Sequence, residues 1–188
     1  AFVSHHVPGR TWQGSEAELV DLENPGDISR LVVFDNWVRN CDRHPANVAA
    51  RKPNYANVYL AETNQAGRYR LVAIDHTHCF DAAAELSERL SHIDKIRDEG
   101  TYGLFPGFLP FIDAGELAWC KAMLRSVTLD LAAKAVSRIP REWEVDARAS
   151  EALIALIHGR AGFLADRMDS GWPMSGLQAL APADRRQP

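Results

Sequence analysis

Cysteine is scarce in this chain: three residues in 188, Cys41, Cys79 and Cys120, with no CxxC pair. An odd, scattered set excludes a disulfide framework or a zinc knuckle and reads as reduced thiols in a cytoplasmic protein. An apolar run of about 20 residues, which a membrane-spanning helix needs, is missing, and the opening AFVSHHVPGR lacks the basic-then-apolar order of a secretory signal. No membrane association is expected. Charge of one sign is lacking too: 21 Lys and Arg against 25 Asp and Glu leave a formal net charge of -4 and a pI near 6.0. That balance gives no general attraction to nucleic acid. Internal repeats and low-complexity tracts are absent. Apolar and charged fractions of 46% and 24% are those of an ordinary globular chain. The chain starts at Ala1 rather than Met, so the natural N-terminus is expected upstream, or removed by processing.

What is present changes character near residue 82. Ser15 and Glu18 have capping-box spacing ahead of Ala17, Leu19, Val20 and Leu22, which predicts a short helix closed by Pro25-Gly26. From Asp27, Ile28, Leu31, Val32, Phe34, Asp35 and Val38 recur at helical spacing up to Asn40. NVYLAE (57–62) and YRLVAID (69–75), on either side of the turn-forming TNQAGR, predict a β-hairpin. Beyond it, helices are expected over 82–92, 114–126, 128–137 and 147–169. TYGLFPGFLPFID (101–113) is apolar but broken by Gly103, Pro106, Gly107 and Pro110, so a packed loop is expected there. Trp37, Trp119, Trp143 and Trp172 are assigned to packing, SERLSHIDKIRDEG (87–100) to a solvated helix face and turn, and 182–188 to a frayed end. The fold class is α+β, mainly α, with one small hairpin.

The chemistry concentrates in two stretches. FDNWVRNCDRHPANV (34–48) runs a buried helix into Asn40, Asp42, Arg43, His44 and Asn47, and IDHTHCF (74–80) delivers Asp75 at the end of an apolar strand. Phosphoryl transfer needs a carboxylate to orient the attacking hydroxyl, and hard oxygen ligands for magnesium on the nucleotide phosphates. Asp42 and Asn47 are five positions apart, the separation of catalytic Asp and metal-binding Asn in a protein-kinase catalytic loop, with Asp75 as second ligand. The competing assignment is an Asx-rich turn that caps backbone groups. A zinc site from His44, Asp75, His76 and His78 fits less well, because strand alternation would put His76 and His78 on one face and Asp75 on the other. Cys41 and Cys79 read as small packing residues rather than nucleophiles.

DRHPAN (42–47), followed by the hairpin and AIDH (73–76), resembles the HipA-like kinases, whose catalytic loop reads D-x-H-x-x-N. Lipid kinases of the phosphatidylinositol type carry a related DRH-x-x-N loop, but nothing here is apolar or basic enough for membrane docking. RIPREW (138–143) and HGRAGFLADRM (158–168) extend the resemblance over most of residues 29–169. It implies a protein-kinase-like C-terminal lobe over 1–175, with 1–12 as a hinge-proximal segment and 176–188 as a tail. It implies Asp42 as catalytic base, Asn47 and Asp75 as magnesium ligands, and Asn40, Arg43 and His44 at the nucleotide site. Asn40 and His44 would support the loop by hydrogen bonding, and Arg43 would contact a phosphate or pair with Asp75. The implied cofactors are ATP and Mg2+, and the implied acceptor is a Ser or Thr hydroxyl on a protein substrate. The family includes toxins of bacterial toxin–antitoxin systems, so an antitoxin is an implied partner as well. Two departures stand out. His76 and Thr77 occupy the places of Phe and Gly in the DFG motif. No Gly-rich loop or VAIK-like lysine precedes residue 29, so the N-terminal nucleotide-clamping lobe is largely absent. The chain is then a fragment, one half of a kinase completed by a partner lobe, or a non-catalytic kinase-like binding module.

Overall fold

The computed structural model describes residues 6–82 and 84–173; the tail assigned to 176–188 lies outside them. In chain order come β1 (Gly9–Thr11), α1 (Gly26–Trp37), β2 (Val58–Glu62), β3 (Tyr69–Ala73), the single helical turns α2 (Cys79–Ala82) and α3 (Ile93–Ile96), α4 (Ala114–Arg125), α5 (Leu129–Val136) and α6 (Ala147–Asp169). The class is α+β with a small antiparallel sheet. Two compact units form, one within Ala1–Leu86 and Tyr102–Cys120, the other within Ser87–Thr101 and Lys121–Pro188.

In the first unit the predicted hairpin is present, Leu60 facing Leu71 across β2 and β3, and the sheet gains a strand the sequence did not announce. The three residues of β1 pair with the far edge of β2, Arg10 opposite Leu60. The open edge of β3 is covered by residues 21–24. Glu23 donates its amide to the Tyr69 carbonyl (2.8 Å), and Asn24 brackets Leu71 by accepting from its amide (2.8 Å) and donating to its carbonyl (3.1 Å). This spends the backbone that a helix over 17–22 would have used, so that helix shrinks to a 3-10 turn at Glu16–Glu18. The core is aromatic. Trp12, 1% exposed, sits with ring centroids 4.9–5.4 Å from Tyr55, Phe105 and Phe108, and the segment 101–113 packs here as expected, around a 3-10 turn at Pro106–Phe111.

The helix expected over 82–92 is not formed. Phe80 has a left-handed backbone (φ 64°), donates its amide to the Val38 carbonyl (2.6 Å) and accepts from Arg39 (2.6 Å), so its peptide groups serve the loop after α1 instead of an i to i+4 ladder. Further on, Glu88–Ser91 makes only a 3-10 turn.

The second unit is built on α6, whose bounds match the expected 147–169. Asp146 caps it by accepting from the Ala149 amide (2.7 Å), and Ala152, Leu153, Leu156, Ala161 and Leu164 form its buried stripe. Thr128 caps α5 in the same way, and α5 packs on α6 through Ala132 and Val136. Arg160, wholly buried, donates to the carbonyls of Lys95, Ile96 and Asp98 at 2.8–3.4 Å, tying the end of α3 to α6. Of the tryptophans assigned to packing, Trp172 is buried, but Trp119 and Trp143 are 50% and 70% exposed. Among the described residues no helix is long and apolar enough to cross a membrane.

Candidate active site

The site lies in the first unit and begins where α1 ends. Val38 caps the helix and Arg39 turns left-handed (φ 54°), so that the Asn40 amide reaches back to the Asp35 carbonyl (2.8 Å), the six-to-one bond of a Schellman ending. This reversal folds DRHPAN back under the helix. Asn40, fully buried, donates its side-chain amide to Asp35 Oδ1 (3.1 Å) and accepts from the Asp42 backbone (3.2 Å), the loop-supporting role expected of it.

Asp42 is buried and its carboxylate is held from several sides. Asn57 and Asn54 donate to Oδ2 at 2.6 and 3.1 Å, Arg51 pairs with Oδ1, and His78 Nδ1 lies 3.9 Å from that same oxygen. Asp75 is exposed and lies two residues past the end of β3, in a left-handed conformation (φ 54°). Its Oδ1 accepts from the Thr77 hydroxyl (2.7 Å) and amide (3.1 Å), and these bonds hold the carboxyl below its usual range. The Thr77 hydroxyl also lies 3.2 Å from His78 Nδ1. Asp42 and Asp75 are therefore joined through His78 and Thr77, by separations of 3.9, 3.2 and 2.7 Å.

Asn47 is exposed, and its side-chain oxygen accepts from the amides of Ala49 (3.0 Å) and Ala50 (3.3 Å). That is the Asx turn that competed with the metal-ligand assignment, formed by the same residue. The turn ends at Arg51, which links Asn47 to Asp42.

Arg43 is fully buried and pairs with Asp35 (3.0 Å), not with Asp75. Its Nη1 donates to the carbonyls of Asn57 and Ile74 (both 3.2 Å), and Nη2 faces His76 Nε2 at 3.1 Å. Because guanidinium only donates, that imidazole nitrogen must be unprotonated, and burial together with Arg43 lowers the His76 pKa accordingly. Arg43 thus grips the residues on both sides of Asp75 and fixes that strand end against the loop. Burial pushes the Asp35 carboxyl up to about 7, against the opposing pull of Arg43 and Asn40. No side chain other than glycine fits at 103, where φ is 70° and a Cβ would lie 2.4 Å from Asp35 Oδ2. His44 is buried with its ring edge-on to Phe105 (5.1 Å), its pKa lowered by burial, and its carbonyl accepts from the Gly103 amide (2.9 Å).

Asp35, Arg51, Asn54 and Asn57 were not singled out from sequence. The stretch RKPNYAN (51–57) did carry a signal: a carboxylate following a buried helix needs donors, and these are the nearest uncommitted ones. Burial pushes the Cys79 thiol up to about 12, so it stays protonated, as expected of a packing residue. Among the described residues no three His, Cys, Asp or Glu side chains gather into a metal cluster. Magnesium asks less: one or two carboxylates, with waters and substrate phosphates completing the shell. Asp75 fits, being ionised, exposed and bonded through Oδ1 only; Asn47 is exposed, but its amide oxygen is held by the Ala49 and Ala50 amides.

The fold thus brings a buried carboxylate, Asp42, and an exposed one, Asp75, to one end of the sheet. A family model described as HipA-like kinase matches residues 1–161, and the chain belongs to that family. Membership carries a kinase-like function and, in general terms, the use of ATP and Mg2+. No curated protein and no solved structure matches the chain.

Proposed function

We propose that this chain forms the catalytic part of an ATP- and magnesium-dependent protein kinase that phosphorylates a Ser or Thr hydroxyl. The observation that carries the reading is the Asp42 carboxylate, buried, oriented by Asn54 and Asn57, and linked to Asp75 through His78 and Thr77. Asp42 accepts the proton of the acceptor hydroxyl as its oxygen bonds to the γ-phosphorus; the bond from that phosphorus to the β-bridging oxygen breaks, and ADP departs. Asn54 and Asn57 keep the carboxylate from rotating, which preserves its alignment with the incoming hydroxyl. Asp75 and Asn47 would hold magnesium, which when bound neutralises charge on the phosphates. Arg43 keeps Asp75 in register with Asp42 from beneath, and Asn40 and His44 stiffen the loop at the nucleotide's side.

The reading requires a nucleotide-clamping lobe from sequence beyond these 188 residues or from a partner polypeptide. The cytoplasmic setting, for which the free thiols speak, and the antitoxin partner, which the sequence resemblance implies, belong to the same proposal. The alternative, a binding module without turnover, is favoured by one observation: Asp42 Oδ1 and Asn47 Oδ1 are both engaged by neighbours. The test is Asp42→Ala in the complete protein. Phosphate transfer to substrate should fall by at least about 10³-fold while MgATP still binds; full labelling by the variant would remove Asp42 from the role of base.

A further inference from the structure

The turn at 47–51 ties together the two oxygens that the kinase reading needs free. Asn47 accepts the amides of Ala49 and Ala50 on its side chain and those of Ala50 (3.1 Å) and Arg51 (3.2 Å) on its carbonyl. Its last residue, Arg51, then lays its guanidinium on Asp42 Oδ1, the oxygen that faces His78 and hence the Asp75 end of the site. Little else holds the turn. Residues 46–50 are all exposed, Val48 included at 54%, so no apolar burial opposes a movement. The Arg51 side chain is 36% exposed, and its second contact is Cys41 Sγ at 3.6 Å, a weak acceptor. Asp42, by contrast, keeps both asparagine donors on Oδ2 whether or not Arg51 is there.

We propose that Arg51 is a phosphate-binding residue of this site: the 47–51 turn opens, Arg51 exchanges the Asp42 carboxylate for a phosphate of the nucleotide, and the same opening bares the oxygens of Asp42 and Asn47. The guanidinium suits both partners, since its planar fork matches carboxylate and phosphate alike. Arg43, the neighbouring arginine, is sealed in on Asp35 and has no exposed surface with which to take this part. The exchange makes nucleotide binding the event that uncovers the base, so Asp42 meets a hydroxyl only when a phosphoryl donor is in place. The proposal rests on the kinase reading.

Calorimetric titration of MgATP into the complete protein, wild type and variants, tests it. Asp42→Asn removes the competitor for Arg51, and MgATP should bind about fivefold tighter than to wild type. Asp42→Asn with Arg51→Ala should lose that gain and match Arg51→Ala alone, because the gain exists only through the guanidinium. Should Asp42→Asn fail to fold, hydrogen exchange on the wild type still decides: MgATP should speed exchange at the Ala49, Ala50 and Arg51 amides. Binding that depends on Asp75, but that Asp42→Asn does not tighten and that leaves those amides protected, overturns the proposal while the kinase reading stands. Absence of MgATP binding, or binding indifferent to Asp75→Asn, overturns the kinase reading and this proposal with it.

Discussion

Two arginines are wholly buried among the described residues, one in each unit, and they work in different surroundings. Arg160 crosses from α6 to the carbonyls that end α3, a clamp on main chain. Arg43 meets a buried carboxylate, an imidazole and the carbonyls flanking Asp75. The contrast extends to the units themselves. Asp35, Asn36, Asn40, Asp42, His44 and Asn57 are also buried, all within the first unit, whereas in the second Arg160 is the buried charged residue among the described residues. Burying polar groups costs stability unless every partner is supplied, and apolar side chains would close the same space more cheaply. A cluster of them within 23 residues is held in place by hydrogen bonds and ion pairs rather than by apolar packing. One buried cation anchors a turn; the other anchors a site.

The contrast can be broken by substitution. Arg43→Met should have the largest effect, about 3–5 kcal/mol in denaturant unfolding, because it leaves Asp35 buried without its partner. Adding Asp35→Asn should recover a good part of that loss when measured well above pH 7, where the lone carboxyl would otherwise be driven to ionise. Arg160→Met should cost less, about 2–3 kcal/mol, from carbonyls left without a donor. If Asp35→Asn failed to help Arg43→Met, the ion pair would not be what Arg43 contributes.

Acid titration separates the two surroundings more gently. The Asp35 carboxyl is raised to about 7 in the folded protein from an ordinary 3.8, so the native state holds its proton more tightly than the unfolded chain does. Its contribution to stability is therefore greatest below about pH 4 and is lost as pH rises toward 7. The carboxyl carbon resonance of Asp35 should titrate near 7, and a midpoint near 4 would mean the pair is ionised throughout. The smallest effect belongs to the exposed pair of Arg30 with Glu116 (2.7 Å): Glu116→Gln should leave the denaturation midpoint nearly unchanged, and more nearly so in high salt.

Local patterns were legible in the sequence and long-range pairings were not. Helix α6 could be read to its ends because its apolar stripe and its Asp146 cap are both local signals. The hairpin could be read from β-branched alternation around a turn; Asp42, Asn47 and Asp75 were picked out by their spacing and their place at element ends, and their roles belong to the proposal. Strand β1, three residues of Gly, Arg and Thr, carries no strand signature and exists because β2 offers it an edge. The segment 82–92 has helical composition, yet the peptide groups just before it are claimed by Val38 and Arg39. Asp35 looked like one more position on an apolar helix face. Only the fold reveals that Arg43, eight residues on, returns to it, or that Arg51, Asn54 and Asn57 converge on Asp42.

Under the proposal, Asp42, Asn47 and Asp75 serve one magnesium nucleotide. Calorimetric titration of ATP into the complete protein, with and without Mg2+, set beside the same titrations of Asp75→Asn, tests this most directly. Binding should need the metal and weaken at least about tenfold in the variant; ATP binding that ignores both the metal and the substitution would contradict it.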